Sequence, residues 1–64
     1  MIYYTRPSII SFEHTGPATA VCYDSDGRTY DIHHWADPAN AELHAKLLNE
    51  GFSREAALQA VKDA

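Results

Sequence analysis

The sequence predicts an α+β fold: a small antiparallel sheet of three strands with a β-hairpin at its core, followed by two short helices packed on one face. Three observations predict it. Short runs of β-branched and aromatic residues fill the first half, an Asp-Gly pair at 26–27 separates two of them, and after Asp37 the apolar spacing becomes helical. The 64 residues form a single domain, with a sheet part over about 1–35 and a helix-hairpin part over 37–64.

The first strand is expected over Ser8 to His14 (SIISFEH) and the second over Thr19 to Tyr23 (TAVCY), with Thr15-Gly16-Pro17 as the turn between them. The third strand, Arg28 to His34, follows Asp24-Ser25-Asp26-Gly27. Asp-Gly favours a tight hairpin because glycine takes positive φ at no steric cost and aspartate tolerates it. A two-residue loop sets Tyr23 opposite Tyr30 and Val21 opposite Ile32. One face then carries Thr19, Val21, Tyr23, Tyr30, Ile32 and His34, and the other Ala20, Cys22, Asp24, Thr29, Asp31 and His33, polar enough to meet water. A four-residue loop keeps these faces together, whereas a three-residue loop would bury Asp31 against Val21.

Asp37 suits an N-cap, and Pro38 suits the first helical position, where its missing N–H costs nothing. Leu43, Leu47 and Leu48 then line one side of a helix from about Pro38 to Glu50. Gly51 stops it, Phe52 turns inward, and Ser53 caps a second helix whose buried stripe is Ala57, Leu58, Val61 and Ala64.

Composition narrows the function classes. The lone Cys22 excludes an internal disulfide, no Cys-x-x-Cys unit exists, and neither a signal peptide nor a membrane-length apolar run is present, which implies a soluble protein of the cytoplasm. The nine acidic residues are dispersed, the net charge is −4, and only five Lys and Arg are scattered along the chain. Direct nucleic-acid binding is therefore disfavoured, and a protein with a basic surface is the expected partner.

The crowded stretch YDIHHWADPA, residues 30–39, invites a chemical reading. Cys22, Asp31 and His33 share the expected polar face, with His14 as a fourth ligand, so a small metal-binding domain is the alternative function. Structural zinc sites draw two ligands from a tight Cys-x-x-Cys or His-x-x-x-His unit, which is absent here. The plainer reading makes the histidines strand-end surface residues and packs the Trp35 ring on the helix layer with its N–H at the wet edge. Asp24-Ser25-Asp26-Gly27 opens like a calcium loop, but the twelfth position is Trp35 instead of a bidentate glutamate. Cys22, His33 and Asp31 also satisfy the inventory of a nucleophilic site. So short a chain has little room for both a core and a pocket, so no enzyme activity and no cofactor are expected.

Leu47 to Ala64, LLNEGFSREAALQAVKDA, resembles the first loop and second helix of ubiquitin-associated domains at Gly51, Phe52, the following Ser-Arg-Glu, and Ala57 and Leu58. Glu50 stands where that family has methionine, and its third helix would fall beyond Ala64. What is shared is a helix-hairpin grammar, and no ubiquitin function is carried across.

The leading expectation is a small acidic, non-catalytic protein-binding module with Trp35, Tyr3, Tyr4, Asp24, Asp26 and Asp31 on its contact surface. Small acidic chains without a cofactor are a common form for phage- or plasmid-type inhibitors that bind a host protein. A homodimer through the exposed edge of the first strand is a further expectation, since Ser8 to His14 carries no proline or lysine to blunt it.

Overall fold

A computed structural model describes residues 1–10 and 16–64. It has the expected α+β architecture: β1 (Tyr3–Ile10), β2 (Gly16–Ser25), β3 (Arg28–Trp35), α1 (Pro38–Asn49) and α2 (Arg54–Asp63). The three strands form one antiparallel sheet in the order β1-β2-β3. No helix among the described residues is long and apolar enough to cross a membrane.

β1 begins five residues earlier than the sequence suggested, and Ser11 to Thr15 lie outside the described residues. Gly16 and Pro17, expected in the turn, belong to β2. Pro7 can sit inside β1 because of where its nitrogen points. The Tyr3 N–H donates to Asn49 Oδ1 at 2.7 Å, and Asn49 Nδ2 donates to the Tyr3 carbonyl at 2.9 Å, so both backbone groups of Tyr3 turn away from β2. Backbone direction alternates along a strand, so Thr5 and Pro7 turn outward too, and the ladder loses no donor at Pro7. Asn49 and Pro7 thus blunt the Tyr3–Pro7 part of this edge; of the edge expected to dimerise, Ser8 to His14, the part from Ser11 on lies outside the described residues. Asn49→Ala should lower unfolding free energy by about 1 to 2 kcal/mol in urea titration; stability equal to wild type would show that the cap contributes nothing.

The hairpin loop has two residues, with Asp26 at φ 53° and Gly27 at φ 76°. Both central residues with positive φ match the right-handed twist of the strands. Tyr23 faces Tyr30 as expected, and Cys22 faces Asp31, but Val21 then faces His33 because Ile32 is an extra residue in β3. This bulge corrects the expected faces. Without it, Trp35 would point away from the helices; with it, Ile32, His33 and Trp35 lie on the helix side and His34 on the other. Burying much of an indole outweighs one disrupted ladder step.

Asp37 accepts from the Ala39 N–H at 2.9 Å and Ser53 from the Ala56 N–H at 3.1 Å, so both expected caps are present. α1 ends in a Schellman motif, with the Phe52 N–H on the Leu47 carbonyl, the Gly51 N–H on the Leu48 carbonyl, and Gly51 at φ 105°. The core cluster is Val21, Ala41, Ala45, Leu48 and Ala57, flanked by Tyr3, Ile32, Trp35 and Leu47. Three alanines bring the helices close to each other and α1 close to the sheet. Phe52 is 43% exposed and does not turn inward. The buried stripe of α1 is Ala41, His44, Ala45 and Leu48; Leu43 and Leu47 sit at its margins. In α2, Ala57 and Val61 are buried, Leu58 is half-buried and Ala64 is exposed.

Candidate functional site

The face of the sheet opposite the helices is built on small side chains. Ala18, Ala20 and Cys22 point to it from the central strand, and Ala20 and Cys22 are fully buried although no helix covers them. What shields them is a polar layer from the flanking strands. Arg6 on β1 reaches across β2 to Asp31 on β3, donating from Nε to Oδ1 at 3.0 Å and from Nη2 to Oδ2 at 2.5 Å. Only small residues beneath allow that span. The arrangement is bidentate, so it fixes the orientation of both groups. Asp31 and the ion pair raise the Arg6 pKa above its ordinary value. His34 Nε2 stands 3.6 Å from Asp31 Oδ2.

A second group continues this layer toward the hairpin. The Tyr4 hydroxyl donates to Asp24 Oδ1 at 2.6 Å, and the Thr29 hydroxyl donates to the same oxygen at 2.7 Å. These two hydrogen bonds, that from Tyr4 foremost, hold the Asp24 carboxyl below its usual range. The Tyr4 phenol is raised, chiefly because its proton is the one shared with Asp24. Cys22 lies under this network with its Sγ 3.5 Å from the Tyr4 carbonyl oxygen. A thiol covered in this way acts as a small apolar filler, not a nucleophile.

The expected contact residues therefore divide. Tyr4, Asp24 and Asp31 come together on the helix-free face, and Asp26 occupies the exposed hairpin tip. Tyr3 and Trp35 lie on the other side. The Tyr3 ring meets Tyr23 edge-on at 5.7 Å, and Tyr23 stacks on Tyr30 at 5.4 Å. The metal set divides as well, since the bulge carries His33 away from Cys22 and Asp31, and His14 lies outside the described residues. Among the described residues, no three His, Cys, Asp or Glu side chains are placed to hold a metal ion.

The histidine that sequence reading missed is His44. It is 3% exposed, within the apolar stripe of α1, and its Nδ1 accepts from Trp35 Nε1 at 3.0 Å. An indole N–H can only donate, so His44 is the neutral tautomer with its proton on Nε2. Trp35 therefore keeps its N–H inside the structure, not at the wet edge. His33 completes the cluster, with its ring 4.5 Å from Trp35 and 5.7 Å from His44. Burial, first of all, lowers the pKa of both imidazoles; Lys62 and His34 add to this at His33, and His33 adds to it at His44. The signal that could have found His44 is its position three residues after Ala41 and four before Leu48, within reach of a tryptophan needing an acceptor.

Set against known proteins, the chain finds no counterpart: no family model, curated protein or solved structure matches it.

Proposed function

We propose that the chain is a non-catalytic protein-binding module that meets its partner through the helix-free face of the sheet. The observation that carries this reading is the ordered layer there: Tyr4 and Thr29 fixed on Asp24, and Arg6 fixed on Asp31. Side chains already held in place lose little rotamer freedom on docking. Tyr4 is 38% exposed and belongs to the residue class that most often anchors interfaces. Asp24 and a net charge of −4 complement a basic surface. An inhibitor of the phage or plasmid type, occupying the basic surface of a host protein in the cytoplasm, is the form this reading takes. A homodimer through the Ser8 to His14 edge is compatible with this reading.

Affinity capture with the immobilised chain tests the proposal. Wild type should retain a partner that elutes with salt, and Tyr4→Ala, which lies outside the core, should reduce capture at least about tenfold. Asp24→Asn should weaken capture and flatten its salt dependence. Undiminished capture by Tyr4→Ala would sink the choice of face. Trp35→Ala does not serve here, since the indole belongs to the core.

A further inference from the structure

On the other side of the sheet, α2 rests on α1 and stands off from β3, leaving a cleft of about 380 Å³. This volume lies within the range of small-molecule sites, roughly 300–1,000 Å³. Such a space was not expected in so short a chain. Its walls are of three kinds. Tyr23 and Tyr30 supply aromatic rings, Ile32 and Leu58 supply aliphatic surface, and His33, His44 and Arg54 supply hydrogen-bond donors or positive charge. The Arg54 guanidinium lies 5.4 Å from the centre of the Tyr23 ring, which holds it over the aromatic wall. Asp31 also borders the cleft, but its carboxylate is engaged by Arg6 on the opposite face.

The second observation is at His44. Its Nδ1 is taken by Trp35, which leaves the Nε2–H as the donor this imidazole can offer to a ligand. The open space bordering that ring is the cleft. A cleft bordered by the Arg54 guanidinium and by the N–H donors of two neutral imidazoles, with the Asp31 carboxylate already taken by Arg6, suits an anionic acceptor.

We infer that the cleft between β3 and α2 is a binding site for a small planar carboxylate. The carboxylate oxygens accept from the His44 Nε2–H and meet Arg54, while the flat body lies against Tyr30, Ile32 and Leu58. This site is independent of the partner-binding face, and either can fail without the other.

Titration of the ¹⁵N-labelled full chain near pH 7.5 with benzoate, benzamide and inorganic phosphate tests it. Benzoate should shift the His44 ring nitrogens, the Trp35 indole N–H and the Ile32 and Leu58 amides in a saturable way, with Kd about 1 mM. Benzamide, its neutral isostere, and phosphate, which lacks the flat body, should each bind at least about fivefold more weakly. Arg54→Gln, exposed at the first turn of α2, should keep the wild-type melting temperature and weaken benzoate at least about fivefold. Equal binding of benzamide or phosphate, an Arg54→Gln variant with wild-type affinity, or benzoate shifts that fail to saturate or lie outside the cleft would each overturn the assignment.

Discussion

Trp35→Ala should destabilise the fold by about 3 kcal/mol, the lower end of the range for removing a large aromatic side chain, because the indole is only partly buried. Two losses add. The ring leaves the flank of the Val21, Ala41, Ala45, Leu48 and Ala57 cluster, and His44 Nδ1 is left as a buried acceptor without a donor. Trp35→Phe separates them, since phenylalanine restores much of the packing and none of the hydrogen bond; about 1 to 2 kcal/mol is expected for it. So small a domain buries only roughly 60% of the surface its unfolded chain exposes, so the alanine variant should be substantially unfolded at room temperature. Urea denaturation followed by circular dichroism reads both. An alanine variant within about 0.5 kcal/mol of wild type would mean that the corner is not structural.

Acid should weaken the same corner, with a sign that follows from the direction of the histidine shifts. His33 and His44 both have folded-state pKa values below that of an unfolded histidine, about 6.5. As pH falls through 6.5 the unfolded chain binds protons first. Stability is therefore full above that point, declines below it, and levels off once pH passes the folded values. The decline cannot exceed about 1.4 kcal/mol per pH unit for each full proton taken up. His33, which is half-buried, contributes less than His44 because solvent screens it. Protonation at His44 Nδ1 also sets an N–H against the Trp35 N–H, turning a hydrogen bond into a clash of donors. His44→Asn offers an amide oxygen near the Nδ1 position and cannot titrate, so it should flatten the profile between about pH 7 and pH 5 even if it lowers stability overall. Wild-type stability that is constant across that interval, or a full slope in His44→Asn, would refute this account.

What could be seen in the sequence depended on whether local chemistry left a mark. Asp26-Gly27 and the caps Asp37 and Ser53 were legible because particular residue types satisfy particular backbone demands. The Ile32 bulge left no such mark. Strict alternation predicts faces well until one residue is inserted, after which every later residue changes side, and that moved His33, His34 and Trp35 together. Arg6 and Pro7 hid the start of β1, because a proline is compatible with a strand only where its nitrogen points off the edge. The α1 stripe was mistaken for Leu43, Leu47 and Leu48 because alanines and a histidine give a weak hydrophobic signal, although Ala41, His44, Ala45 and Leu48 have ideal helical spacing. Phe52 was expected inside on hydrophobicity alone. Of the candidate site, the carboxylates Asp24 and Asp31 were legible as a shared face, but Arg6 was not, since its role depends on reaching over the middle strand.

The central claim, that the helix-free face receives the partner, is tested most directly by alanine-methyl NMR of the captured complex. Ala18 and Ala20 lie on that face and Ala41, Ala45 and Ala57 in the core on the helix side, so the methyl groups report on the two sides separately. The account predicts that the partner shifts or broadens Ala18 and Ala20 and leaves Ala41, Ala45 and Ala57 unchanged. Perturbation of the helix-side methyls with Ala18 and Ala20 unmoved would contradict it.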